Sequence, residues 1–206
     1  MELEENLSIQ RKPEPESSVL YVVGTPIGNL NDISERGKNI LSKVSLVACE
    51  DTRRTKQLLN ALNINNRLIS FNEYNSQVKT DFIIEQLKEG LSVALVSDAG
   101  LPAVSDPGEY LVNKARKNKL EVICVPGPCA ALTGLVSSGL SCNYFLFIGF
   151  IPKRGSERQK CFKLIEDNTF TTIVYESPNR IKTFLKELNE YCEDGRCIHI
   201  AKELTK

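Results

Sequence analysis

Five short apolar runs punctuate the first two thirds of the chain: LYVV at 20–23, LVAC at 46–49, RLISF at 67–71, VALVS at 93–97 and VICV at 122–125. Each is continuous rather than alternating, the pattern of strands covered on both faces. Helical stretches separate most of them. Asp32-Ile33-Ser34-Glu35 reads as a capping box opening a helix to about Lys43. Thr52 starts a second, with Leu58, Leu59 and Leu62 on its apolar face, and residues 78–89 give a third. Asp106-Pro107-Gly108-Glu109 reads as another capping box, with Pro at the favoured first helical position, for a helix to about Asn118. Strand and helix alternating in this way predict a largely parallel α/β sheet.

After Gly139 the rhythm restarts. YFLFIGF at 144–150, TTIVYE at 171–176 and CIHIA at 197–201 read as strands. The basic stretch PKRGSERQK leads into a helix capped near Ser156, and Ser177-Pro178 caps another that carries Ile181, Phe184, Leu185 and Leu188. The organisation predicted is a disordered acidic tail over 1–17, an N-terminal α/β domain over 18–136 and a smaller, mixed-sheet α/β domain over 137–206.

Composition narrows the class. Lys plus Arg and Asp plus Glu number 26 each, so no global field recruits nucleic acid and any polyanion site is a local patch. Seven scattered cysteines without a CxxC, beside one histidine, argue against zinc and fit reduced thiols in the cytoplasm. No apolar stretch approaches the roughly 20 residues of a membrane span, and the N-terminus lacks a secretory apolar core.

The unusual residues fall after the strands. GTPIGN follows the first, Glu50-Asp51-Thr52-Arg53-Arg54 the second, Asn72-Glu73-Tyr74-Asn75 the third, Asp98 to Gly108 the fourth and Pro126-Gly127-Pro128 the fifth. In open α/β sheets ligands bind at that carboxyl edge. Each piece also has a plain structural reading. GTPIGN makes a tight connection, Asp98 a turn and Asp106 a helix cap. Glu50-Asp51 beside Arg53-Arg54 makes a surface ion-pair cluster. His199 and Cys49 read as core residues, and Lys153, Arg154, Arg158, Lys160 and Lys163 as a solvated face. GxGxxG is absent, which argues against an NAD-type cofactor.

VGTPIGNLNDIS, CEDTRRTKQLL, SDAGLPAVSDPG, VPGPCAA, GFIPKR, YESPNR and AKELTK occur in this order, from about Leu20 to Lys206. Together they resemble the ribosomal RNA small subunit methyltransferase I family of the tetrapyrrole-methylase superfamily. The resemblance implies S-adenosylmethionine-dependent 2′-O-methylation of a cytidine ribose in small-subunit (16S) rRNA. It also implies a cytoplasmic homodimer with the donor in the interdomain cleft and no metal. Pro26, Asp98, Ala99, Gly100, Pro126, Gly127, Ala130 and Tyr175 are then the expected donor contacts. Gly24, Gly28, Gly100 and Gly127 would let backbone approach the ligand. Glu50, Asp51, Arg53 and Glu73 are expected around the acceptor, with Glu203 and Lys206 as second choices. Arg53, Arg54, Lys153, Arg154 and Arg180 are expected on RNA phosphates.

The sequence departs from the family pattern at three places. SDAGTP reads SDAGLP, so Leu101 removes a hydroxyl. The stretch after the third strand has no histidine, and the family's chain normally continues past ELTK, so a terminal part of the second domain is expected to be missing. Two other readings share the fold: a tetrapyrrole methyltransferase, and a catalytically weakened RNA-binding ribosome-assembly module.

Overall fold

A computed structural model describes residues 13–192 and 194–206. Most of the expected tail, residues 1–12, lies outside them. Its remainder is tethered rather than loose. Arg36 Nε donates to Glu14 at 2.7 Å, and the Glu16 N–H donates to the Tyr21 hydroxyl at 2.8 Å.

The chain forms two compact units, one running to Pro26 and resuming over Leu30–Gly127, the other comprising Ile27–Asn29 and Pro128–Lys206. The first contains β1 (Val19–Val23), α1 (Glu35–Lys43), β2 (Leu46–Cys49), α2 (Thr52–Ala61), β3 (Leu68–Ser70), α3 (Ser76–Lys88), β4 (Val93–Val96), α4 (Glu109–Lys117) and β5 (Glu121–Val125). Its five strands run parallel in the order β3-β2-β4-β1-β5. The continuous apolar runs have the cause expected of them: alternate residues serve opposite faces. Tyr21, Val23, Val47, Cys49 and Val96 pack with Ile40 and Leu41 of α1 and Leu59 of α2. Leu20, Leu46, Ala48, Val93 and Leu95 pack with Ile83 and Leu87 of α3 and Leu111 of α4. Each such large side chain contributes about 1.5–3 kcal/mol by leaving water.

Two caps differ from the sequence reading. Ser34, not Asp32, caps α1, accepting the Gly37 N–H at 3.0 Å, while Asp32 lies in a 3₁₀ turn over Leu30–Asp32. Asp106 does not cap α4 either. The cap is Gly108, at φ +146° and with no side-chain bond. A Cβ there would stand 2.8 Å from Leu95 Cδ2 and the backbone angle is itself hostile to side chains, so the helix start is set by shape.

The second unit contains α5 (Ala130–Ser138), β6 (Phe145–Phe150), α6 (Ser156–Asp167), β7 (Thr171–Tyr175) and α7 (Ile181–Tyr191). The unit boundary falls at 127/128 rather than 136/137 because α5 is fastened to β7: the Tyr175 hydroxyl accepts the Ala131 N–H at 3.0 Å. Ile151, Phe162, Ile165, Phe184 and Leu188 form the core. Arg158 is part of it rather than of a solvated face. It lies over the Phe162 ring, donates to the Pro152 carbonyl at 2.8 Å and makes a two-pronged pair with Glu187 at 2.8 and 3.0 Å.

The expected mixed sheet is, among the described residues, two parallel strands, β6 and β7. Residues 197–201 form no strand. Arg196 fastens the preceding chain to the end of α6, donating to the Ile165 carbonyl at 2.7 Å and the Asn168 carbonyl at 2.9 Å. The following segment then runs across a groove from β7 instead of pairing with it. His199, read as a core residue, is exposed there.

Candidate active site at the carboxyl edge of the first sheet

The strand order dictates where a site can form. β2 connects leftward to β3 and β4 connects rightward to β5, through helices packed on opposite faces of the sheet. The chain therefore diverges above the gap between β2 and β4, the topological switch point at which open α/β sheets bind ligands. The segments that meet there are Glu50–Asp51 and the loop that begins at Asp98.

Asp51 caps α2 by accepting the Arg53 N–H at 2.8 Å, and its carboxylate takes two further bonds from the Arg53 guanidinium, at 3.1 and 2.7 Å. These bonds hold the Asp51 carboxyl well below the usual carboxylate range. Asp98 joins the two segments. One oxygen accepts the Asp51 N–H at 3.1 Å and the other pairs with Arg54 at 3.2 Å. Glu50 behaves oppositely to Asp51. Burial pushes its carboxyl up, and the charges of Asp98 and Asp106 push it further. Asp106 is also raised, chiefly by burial and then against a hydrogen bond with Ser97. Glu50, Asp98 and Asp106 are thus one acidic group, and Asp106 is the member that sequence reasoning assigned to a cap. The available signal was its place at the far end of the loop that Asp98 opens.

The loop that carries these groups is strained and braced. Ala103 and Ser105 have φ of +68° and +62°, a region side chains rarely adopt, and such residues cluster at functional sites. Thr25 and Gly100 form an isolated antiparallel bridge, exchanging N–H···O bonds of 2.8 and 3.1 Å. The Thr25 hydroxyl adds bonds to the Ser97 and Gly100 carbonyls at 3.4 and 3.3 Å. The Gly24-Thr25-Pro26 turn and the Asp98 loop are therefore fastened together by backbone and side-chain bonds. The opening glycines also pack closely within the protein. A Cβ on Gly24 would lie 2.7 Å from the Gly127 Cα, so the two backbones meet too closely for a side chain at either position. Gly28 faces the Thr205 side chain, which a Cβ would approach to 2.6 Å.

The other expected residues fall as follows. Glu73 sits one strand further along the edge in an exposed turn locked by Asn72 and Asn75, whose side chains accept backbone N–H groups of that turn. Pro26, Ala99, Pro126 and Gly127 lie on loops of this edge, whereas Ala130 and Tyr175 belong to the second unit. Arg180 is tied to the buried Glu176 at 2.7 Å. Lys153 and Arg154 are exposed and, among the described residues, make no ion pair. Of the second choices, Glu203 and Lys206 pair with each other at 2.8 Å. Among the described residues no group of side chains is placed to hold a metal ion.

An all-parallel sheet with a braced, acidic loop pair at its switch point places the chain among the open α/β proteins, whose ligands bind at the carboxyl edge. Comparison gives the class a family. The sequence signature of the tetrapyrrole (corrin/porphyrin) methylases matches residues 19–206. A ribosomal RNA small subunit methyltransferase I from Escherichia coli O157:H7 is 42% identical over 187 residues, covering 91% of this chain and 65% of that protein. The protein of the same name from Thermotoga maritima is 44% identical over 187 residues, covering 91% of this chain and 83% of its own length. A solved cobalt precorrin-4 methyltransferase, CbiF, shares the fold at TM-score 0.60 and 14% identity, covering 84% of this chain and 75% of that one. The chain belongs to the ribosomal RNA small subunit methyltransferase I family of the tetrapyrrole methylases. It spans about two thirds of the length of the first relatives it matches. The methyl donor of this family is S-adenosylmethionine.

Proposed function

We propose that the chain methylates the 2′-oxygen of a cytidine ribose in small-subunit (16S) ribosomal RNA, using S-adenosylmethionine. The observation that carries this reading is Glu50: a carboxylate raised by burial and neighbouring acids, at the switch point, close in sequence to the exposed Arg53. A ribose hydroxyl is a poor nucleophile, and a raised carboxylate is a better base for it than an ordinary one. Asp51 is unsuited, being committed to Arg53 and to the α2 cap. Glu50 is accordingly the base that receives the 2′ proton, and Arg53 steadies the adjoining phosphate. Tyr74, 97% exposed beside Glu73, offers a stacking face to an unpaired base.

The edge suits the donor. Glu50, Asp98 and Asp106 place negative charge where a sulfonium or ammonium would sit, and Pro26, Asp98, Ala99, Pro126 and Gly127 bring backbone to the same edge. Gly100 acts through shape, since its own N–H and carbonyl are spent on Thr25. Ala130 and Tyr175 are donor contacts that the family resemblance implies. The bound donor supplies an electrophilic methyl group whose sulfur departs as a neutral thioether. Alignment of the ribose oxygen with that methyl is the enzyme's main task.

A cytoplasmic homodimer is the expected working form; Leu132 and Val136, apolar and exposed on α5, support a contact with a second copy. The deciding experiment supplies labelled methyl donor to purified small ribosomal subunits and maps the product. Label on one cytidine ribose is the expected result. Label on a free tetrapyrrole with no RNA present would overturn the acceptor while leaving the donor intact.

A further inference from the structure

The backbone ladder between β2 and β4 ends at Cys49 opposite Val96, so in the same register Asp51 stands opposite Asp98, two residues past the last pair. There the strands part, because α2 packs on one face of the sheet and α4 on the other. A strand that loses its neighbour leaves backbone donors to be satisfied by other groups. The Asp51 N–H is satisfied by a side chain: Asp98 Oδ1 accepts it at 3.1 Å. The Asp98 N–H acts on the Glu50 carboxylate in return, opposing the rise that burial imposes. One carboxylate from each strand end thus reaches the backbone of the other across the switch point.

Asp98 is able to hold its partner because its own segment is fixed. Thr25 and Gly100 exchange backbone bonds, and the Ser97 hydroxyl donates to the Ala99 and Gly100 carbonyls at 3.4 and 3.5 Å. The second Asp98 oxygen pairs with Arg54, whose side chain is 68% exposed, so that pair contributes little stability. The bond to Asp51 is the one with structural consequence. Asp51 has the extended backbone of an N-cap, φ −117° and ψ 111°, and its carboxylate carries the Arg53 N–H and guanidinium. Any rotation about Asp51 swings the first turn of α2, and Arg53 with it. Glu50 lies immediately before the same peptide.

We propose that Asp98 is a positioning residue: by taking the Asp51 N–H it sets the angle at which α2 begins, and so holds Glu50 and Arg53 in fixed register with the loop that Asp98 opens. Both Asp98 oxygens face groups of the protein, and its carboxylate acts on the reaction through the segment it holds. This inference rests on the methyl-transfer reading, in which Glu50 and Arg53 are the groups beside the reacting ribose. A misplacement of roughly 1 Å at such groups is enough to lower a rate by about 10²-fold.

The test compares Asp98→Ala with Asp98→Asn in the full chain. Amide exchange at Asp51 and Arg53, with α1 as the control for general unfolding, reads the positioning without any need of activity. Asp98→Ala should speed exchange at both amides by about tenfold or more and leave α1 unchanged. At saturating donor and small ribosomal subunits, its single-turnover methylation rate should fall by about tenfold or more, with subunit affinity held. Asp98→Asn keeps an acceptor oxygen for the Asp51 N–H, so it should restore the protection and most of the rate. The proposal is overturned if Asp98→Ala leaves exchange at Asp51 and Arg53 as in the parent. It is equally overturned if the whole deficit is a loss of donor affinity that saturation cures, which would make the carboxylate a donor contact. It also falls if Asp98→Asn restores protection and none of the rate, since the charge rather than the bond would then matter. A parent chain that methylates no subunit would defeat the methyl-transfer reading instead, and the exchange comparison would still decide whether Asp98 positions α2.

Discussion

At the scale of single residues the candidate site separates its carboxylates by environment. Asp51 is lowered by Arg53, whereas Glu50 and Asp106 are raised by burial. The sign of the linkage differs accordingly. A carboxyl whose folded pKa lies above its unfolded one binds its proton more tightly when folded. It therefore favours the fold at low pH, and that advantage is lost as pH rises through the folded value. Glu50→Gln should raise the melting temperature at neutral pH, with the gain shrinking toward the ordinary glutamate value, and should lower turnover by roughly 10²-fold or more. Melting curves across pH, read beside methylation rates, check both halves; a variant that melts higher yet turns over normally removes Glu50 from the base role. Asp106→Asn should likewise stabilise at neutral pH. An N-cap aspartate would behave differently, costing about 0.5–2 kcal/mol on replacement by Ala, so the same melts decide between the buried acid and the cap. The sequence pattern around Asp106 suggested a cap because Pro107 and Glu109 complete one. What reassigns it is Gly108, whose backbone starts the helix two residues later.

At the scale of elements, much was legible because β1, β2 and β4 are buried on both faces and every strand of the first unit leaves a continuous apolar trace. β1, β2, β4 and β5 lie within a residue of their predicted limits. Residues 197–201 carry an equally apolar trace and form no strand, since a strand needs a neighbour and pattern alone does not say whether one is present. Arg158 was illegible for a related reason: a lone arginine in a basic run shows nothing of the Glu187 that draws it inward. The glycines illustrate the same limit. Gly24 and Gly127 are visible as turn glycines, but their meeting joins the ends of β1 and β5, roughly a hundred residues apart in sequence, a separation across which local pattern carries no information. Gly24→Ala should therefore cost about 1–3 kcal/mol, the usual range for overpacking, because the added carbon meets backbone that cannot swing aside. Gly90, at φ +92° with nothing within 4 Å of an added Cβ, is the control: Gly90→Ala should carry only the strain of its backbone angle. Denaturant titrations of the two variants give the comparison. Equal losses would show that the packing of Gly24 on Gly127 contributes nothing beyond backbone conformation.

At the scale of the whole molecule, the proposed function makes charge the test of how an RNA would be held. The 26 basic and 26 acidic residues cancel, so attraction has to be local. The structure reduces the candidates. Arg158 is buried on Glu187, Arg180 is paired with Glu176 and Arg54 with Asp98, which leaves Lys153 and Arg154 exposed without an ion pair among the described residues. Reversing both, as Lys153→Glu with Arg154→Glu, should weaken RNA binding and flatten its dependence on salt, by about one unit of slope for each phosphate no longer neutralised. Donor affinity should hold, since neither residue belongs to the edge that carries Glu50 and Asp98. Arg53→Ala makes the contrast. Its side chain is 87% exposed although paired with Asp51, so little stability rests on it, and its removal should lower turnover more than RNA affinity. Filter binding at several salt concentrations, calorimetry with the donor and single-turnover methylation separate the three effects. If the doubly reversed variant keeps the parent's salt slope, Lys153 and Arg154 are merely solvated, and the phosphates must be met by cations now engaged in ion pairs, which RNA would have to break.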